Sequence, residues 1–93
     1  MSDLSANQRR EDIQKQFPLE CTLKVIAVPR PGLAVVLEQT LADRHPNTPF
    51  TAGNVSRQGS YQTYNATLTF ATLEDMEDAC RLLAAVPGVK MVL

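Results

Sequence analysis

Four cationic side chains stand where they could hold an anion. Arg30 lies in Pro29-Arg30-Pro31-Gly32, Arg57 precedes Gln58-Gly59-Ser60-Tyr61, and Lys24 and Lys90 interrupt apolar segments. A guanidinium presents a planar fork of donors that matches a carboxylate or phosphate. Gly32 lets backbone come close to a ligand, and a helix starting there would add free N–H donors. Tyr61 could pack on what Arg57 holds. Each feature also has a plain structural use. Pro31 suits a first helical position, Gly59 supplies a positive φ in a turn, and Lys24 and Lys90 can be solvated. Catalytic machinery is another matter. No Ser or Cys is placed beside a base, no Gly-rich phosphate loop occurs, and no zinc spacing is present. His45, the only histidine, precedes Pro46 without a second ligand at metal spacing and is expected to be a surface loop residue. The expected catalytic, metal and cofactor sets are therefore empty.

The elements that position these residues follow from periodicity. From Leu19 to Val28, Leu19, Cys21, Leu23, Val25 and Ala27 alternate with Glu20, Thr22 and Lys24. Ile26 and Val28 then make both faces apolar, which describes a strand becoming central. Leu33, Val36, Leu37, Thr40 and Leu41 recur at helical spacing up to Arg44. Phe50 to Val55 reads as a weak strand interrupted by Gly53, which suits a sheet edge. Tyr64, Ala66, Leu68 and Phe70 alternate with Thr63, Asn65, Thr67 and Thr69 in the clearest strand of the chain. Thr72 is placed to cap a helix that carries Glu74 and Asp75 in its first turn and runs to Val86. Pro87-Gly88 ends it, and Val89 to Leu93 forms a last strand.

This order predicts an α+β, ferredoxin-like βαββαβ fold, a four-stranded antiparallel sheet with two helices on one face. Right-handed crossovers put both helices on that face. The other face is left open. Parity predicts that it is polar, with Lys24, Thr63, Asn65, Thr67, Thr69 and Lys90 on it and Tyr61 in the same register. Lys24 and Lys90 are expected to be lateral neighbours. Residues 1–16 have few apolar side chains and read as a flexible N-terminal arm or loose helical turn, and residues 17–93 as the single domain.

The chain has 93 residues, nine Lys and Arg against ten Asp and Glu, and a net charge of −1, so no broad positive field gathers nucleic acid. No signal peptide or membrane span is recognisable, which favours a cytoplasmic protein. Cys21 and Cys80, far apart and in apolar patterns, are expected to be reduced buried thiols.

Phe17-Pro18 through Leu23-Lys24-Val25, then Ser56-Arg57-Gln58-Gly59-Ser60-Tyr61-Gln62-Thr63, then Val89-Lys90-Met91-Val92-Leu93 together resemble the YbeD-like family of small bacterial proteins. The resemblance covers about residues 17–93. It implies a ferredoxin-like fold related to regulatory amino-acid-binding domains and leaves the biochemical role open. Members commonly carry a His where this chain has Gln62, so a catalytic role for that His could not operate here. Pro29-Arg30-Pro31-Gly32-Leu33 is also similar to the strand-to-helix turn of ACT domains, with Pro29 in place of an acidic or amide residue. That likeness implies a ligand-facing role for Arg30, Gly32 and the N–H groups after them.

The expected function is a non-enzymatic regulatory or binding module. It would take a small anionic metabolite at Arg30, Gly32, Arg57, Gly59 and Tyr61, or a partner protein on the open face at Lys24, Asn65 and Lys90. One alternative is a structural homo-oligomer, such as a homodimer, formed through exposed edges. Another is an enzyme resembling acylphosphatase, for which Arg30 and Asn65 fit but the longer Gly-rich loop is absent. Recognition of RNA on the open sheet would need more aromatic rings than Tyr61 alone.

Overall fold

The computed structural model describes residues 5–93. The alternation of the first strand is realised in β1 (Leu19–Ala27), where Leu23, Val25 and Ala27 are buried and Glu20, Thr22 and Lys24 are exposed. It pairs antiparallel along its whole length with β3 (Gln62–Phe70), from Leu19 opposite Phe70 to Ala27 opposite Gln62. The edges are short. β2 (Thr51–Val55) lies outside β3 and β4 (Val89–Val92) outside β1, giving the order β2-β3-β1-β4.

Between the strands run α2 (Leu33–Leu41) and α3 (Leu73–Ala84). Their buried stripes, Leu33, Leu37 and Leu41 on one and Ala79 and Leu83 on the other, close one core with Val25, Tyr64 and Phe70, and Leu73 is buried at the start of α3. Thr72 caps α3 as its residue type predicts, its Oγ1 accepting the Asp75 N–H at 3.1 Å. The fold is thus the α+β ferredoxin-like arrangement, with both helices on one face.

Three placements depart from expectation. Ser5–Gln14 is a ten-residue helix, α1. It lacks an apolar stripe and is joined to α3 by polar contacts: Arg10 donates to Glu77 at 2.7 and 3.2 Å, and Gln14 Oε1 accepts the Leu73 N–H at 3.1 Å. That N–H is one of the donors a helix start leaves free, so docking α1 there satisfies it. His45 is not a surface loop residue. Its side chain is 11% exposed, its Nε2 lies 3.1 Å from Asp75 Oδ1, and its ring meets Phe70 edge-on at 5.1 Å. It joins the end of α2 to the start of α3. The cysteines are free, as expected, but half-buried, with the Cys21 thiol 3.9 Å from Met76 Sδ. Burial, then Cys21 and Glu77, push the Cys80 thiol above its ordinary pKa, so it stays protonated at neutral pH.

Among the described residues no helix is long and apolar enough to cross a membrane.

Candidate functional site

The antiparallel order brings the C-terminal end of β1 and the starts of β3 and β4 to the same end of the sheet. Ala27 pairs with Gln62, and the Val28 N–H donates to Gly88 O at 2.9 Å. The turn holding Arg30 and Gly32 therefore emerges between the β2–β3 hairpin and the start of β4. Arg30, Arg57, Gly59, Tyr61 and Lys90 share this end, whereas Lys24 and Asn65 face each other in mid-sheet.

The two turns are built by their glycines. Gly59 has φ +74°, and its N–H closes a four-residue turn onto Ser56 O at 2.9 Å. Ser56 also takes the Tyr61 N–H on its Oγ at 3.1 Å. Gly32, at φ +78°, precedes α2 and accepts the Val36 N–H at 3.1 Å. A Cβ at either glycine would meet no atom within 4 Å, so conformation, not crowding within the chain, selects glycine there. Gln62 braces the strand pair: Nε2 donates to Gly53 O at 3.3 Å and Oε1 accepts from the Tyr64 hydroxyl at 3.2 Å.

Charge separates this end from the rest. No Asp or Glu occurs in residues 28–32, 53–62 or 88–93. Elsewhere four carboxylates are engaged: Glu77 with Arg10, Asp78 with Arg44 and Arg81, Asp75 with His45, and Glu38 with the Phe50 N–H. The hydrogen bonds from arginine hold Glu77 and Asp78 below the usual carboxylate range. Among the described residues Lys24, Arg30, Arg57 and Lys90 have no ion-pair partner. Three of these cations, Arg30, Arg57 and Lys90, thus share one end of the sheet, and Lys24 stands in mid-sheet, in a chain whose net charge is −1.

The open face is not uniformly polar. Glu20, Thr22, Thr67 and Thr69 make its far half so, with a Thr22–Thr67 hydroxyl hydrogen bond of 3.0 Å across the strands. Its near half is apolar, with Ile26 opposite Met91 and Leu93 hydrogen-bonded to Lys24 in both directions. A register shift between Ile26 and Ala27 is the cause. Ala27 pairs with Val89 and Ile26 with Met91, so Lys90 is the extra residue of a bulge. Lys90 is therefore not the lateral neighbour of Lys24. Its ammonium instead stands 5.9 Å from the centre of the Tyr61 ring, a cation–π contact that reaches past β1. Met91 had no place on the expected open face, because a bulge leaves no mark on residue parity; Ile26, two residues after Lys24, stands there by parity alone.

Asn65 shows a second close fit. A Cβ at Gly53 would fall 2.8 Å from Asn65 Nδ2, so glycine makes room for that amide, while Asn65 Oδ1 is buried without a hydrogen-bond partner. Asn65 lies in mid-sheet opposite Lys24, whereas Arg30 lies in the turn after the end of β1.

Two shallow hollows flank Tyr61. One of about 250 Å³ is lined by Ser56, Arg57, Gln58, Ser60 and Tyr61. The other, of about 280 Å³, lies against Ile26, Val55, Tyr61 and Thr63. Larger hollows lie between α1 and α3 (about 410 Å³, with Arg10, Lys15, Glu11 and Glu74) and beside α2 (about 430 Å³, with Glu38, Asn47 and Thr48). Both contain carboxylates, and neither includes an expected site residue.

Residues 13–93 match the model of a family described as proteins of unknown function, DUF493. No curated protein matches the chain. Among solved structures, the solution structure of protein HP0495 from H. pylori is similar at a TM-score of 0.70 and 14% identity, covering 83% of this chain and 82% of that one. The ACT domain from the GTP pyrophosphokinase of Chlorobium tepidum is similar at 0.58 and 12% identity, covering 81% and 95%. These likenesses show the fold. The chain belongs to the DUF493 family, which is the YbeD-like family its motifs resemble.

Proposed function

We propose that this member of the family acts by binding and not by catalysis, as a small regulatory module in the cytoplasm. It recognises an anionic group of a metabolite or partner protein at the end of the sheet where Arg30, Arg57 and Lys90 converge. The observation that carries the reading is the charge distribution. Arg10, Arg44 and Arg81 have carboxylate partners, whereas Arg30, Arg57 and Lys90, like Arg9 and Lys15 in and after α1, have none among the described residues; unlike Arg9 and Lys15, these three lie in stretches of sequence without Asp or Glu. A fold shared with an ACT domain is compatible with a regulatory role.

A guanidinium pair across two adjacent turns suits bidentate contact with a carboxylate or phosphate. Gly32 leaves open space in front of the first turn of α2, and Gly59 shapes the hairpin that carries Arg57. Nuclear magnetic resonance titration with inorganic phosphate and with citrate tests the reading. Amide shifts confined to residues 30–34 and 56–61, lost in Arg30→Ala/Arg57→Ala, are expected. Shifts centred on α1 or on the later turns of α2 (residues 36–41), or none at millimolar anion, would overturn it.

A homodimer is the second reading. β4 is a four-residue edge strand with Met91 49% and Leu93 63% exposed, and an exposed edge can pair with another chain. Light scattering that gives a monomer mass across the accessible concentration range removes it.

A further inference from the structure

We infer that the near half of the open face is a docking surface for an extended segment of a partner protein, one that carries Asp or Glu beside large apolar residues. The inference rests on the anion-binding reading above and names the class of ligand.

The bulge is the first support. Bulges often re-aim a side chain at functional sites. Here the bulge puts Met91 on the open face opposite Ile26 and leaves Lys90 as the extra residue, its ammonium resting on Tyr61 and not on a carboxylate. A lysine over an aromatic ring that shares a hollow with Ile26, which in turn stands opposite Met91, combines an anion contact with apolar contacts nearby. Tyr61 is 37% and Met91 49% exposed, and each is large enough to act as a contact for an incoming apolar side chain.

Extent is the second. From the β2–β3 hairpin to β4 the surface crosses three strand positions, roughly 10–15 Å at about 4.8 Å per strand. A single small anion contacts one cation or two and cannot satisfy Arg57 and Lys90 together with both hollows beside Tyr61. A peptide lying across the strands can, with an apolar side chain in each hollow and carboxylates on the flanking cations.

Charge is the third, and it argues against a second copy as occupant of this face. Arg57 and Lys90 at this end, and Lys24 beside it in mid-sheet, have no Asp or Glu among their sheet neighbours, so two copies with these near halves placed face to face would set cation against cation. The favoured occupant is acidic.

The experiment pans a display library of random dodecapeptides against the full chain, then repeats the selection against Lys90→Glu after circular dichroism has confirmed its fold. Peptides enriched on the unaltered chain are expected to be acidic with at least two large apolar residues. They should shift the amides of Ile26, Tyr61, Thr63 and Met91, and bind the Lys90→Glu chain about tenfold or more weakly, the loss of one charge-assisted contact. Ile26→Lys, on the same face but outside the core, is expected to weaken them comparably. Enrichment of basic or neutral peptides, of peptides that shift other surfaces, or of none overturns the docking surface. So does self-association of the free chain through Ile26 and Met91. If phosphate or citrate still shifts residues 30–34 and 56–61 while no acidic peptide is enriched, the peptide inference fails and the anion site stands; if neither binds, both fail.

Discussion

On the face of the sheet under α2 and α3, Val25, Tyr64 and Phe70 are buried, and the cations around that layer, Arg10 and Arg44, are paired with carboxylates of α3. One residue along each strand the surroundings invert. Ile26 and Thr63 face outward, Met91 is half exposed, and the nearby cations Lys24 and Lys90 have no ion-pair partner among the described residues. The covered face accounts for its residues through the fold, because burial of large apolar side chains stabilises it and the paired charges are satisfied. Burial in the fold explains the open face only in part. Apolar atoms are common on protein surfaces, but apolar residues gathered with unpaired like charges and no Asp or Glu have no evident role in holding the sheet together. The lesson of the comparison is that stability and recognition are divided between the two faces of one sheet.

The largest expected effect tests that division directly. Phe70→Ala should destabilise the chain by about 3–5 kcal/mol, since a fully buried ring leaves a cavity. Thr69→Ala, its exposed neighbour on the other face, should stay within about 0.5 kcal/mol. Urea unfolding followed by circular dichroism measures both, and similar losses would break the comparison. An intermediate effect is expected at Gly53, the point where the open face is tightly packed. Gly53→Ala forces its Cβ against the Asn65 amide at 2.8 Å and should cost about 1–2 kcal/mol. The same substitution on an Asn65→Ala background should cost clearly less, and a double-mutant cycle with no coupling would show that the amide is not the obstacle. The smallest effect concerns pH. Arg44 and Arg81 hold the folded-state pKa of Asp78 below its unfolded value, so the contribution is present at neutral pH and disappears as pH falls through the lowered value. Unfolding midpoints measured from pH 7 downward should therefore lose part of their acid dependence in Asp78→Asn, while Lys90→Gln on the open face leaves the profile unchanged.

Much of the covered face was legible in the residues. The alternation of Tyr64, Ala66, Leu68 and Phe70 marks a half-buried strand, Thr72 followed by Glu74 and Asp75 marks a helix start, and Gly53 demotes the Phe50 to Val55 segment to an edge. These are local signals. The open face depends on register, which is set between strands. Parity assigned Lys90 to a position beside Lys24, but Leu93 is bonded there, while one extra residue in β4 put Met91 opposite Ile26 and Lys90 over Tyr61. His45 was misplaced for a related reason: its partners, Asp75 and Phe70, come from the third strand and the helix after it, 25 to 30 positions away. The helix in residues 5–14 carries no apolar stripe to announce it, being joined to α3 through Arg10 and Gln14. Of the candidate site, Arg30 and Gly32 were expected in one turn and Arg57, Gly59 and Tyr61 in another, but their placement with Lys90 at one end of the sheet follows only from the strand order.

That order also has a kinetic consequence. The central strands β1 and β3 are joined by a connection of about 35 residues that includes α2 and β2, so the middle of the sheet can close only after a long loop has given up its freedom. Such non-local pairing slows folding compared with a helical chain of this size. β4, at the other end of the chain order, has nothing to dock on until β1 is in place. Lys90 and Tyr61 meet only when the last strand has joined the first, so whatever engages both will distinguish a finished molecule from one still folding.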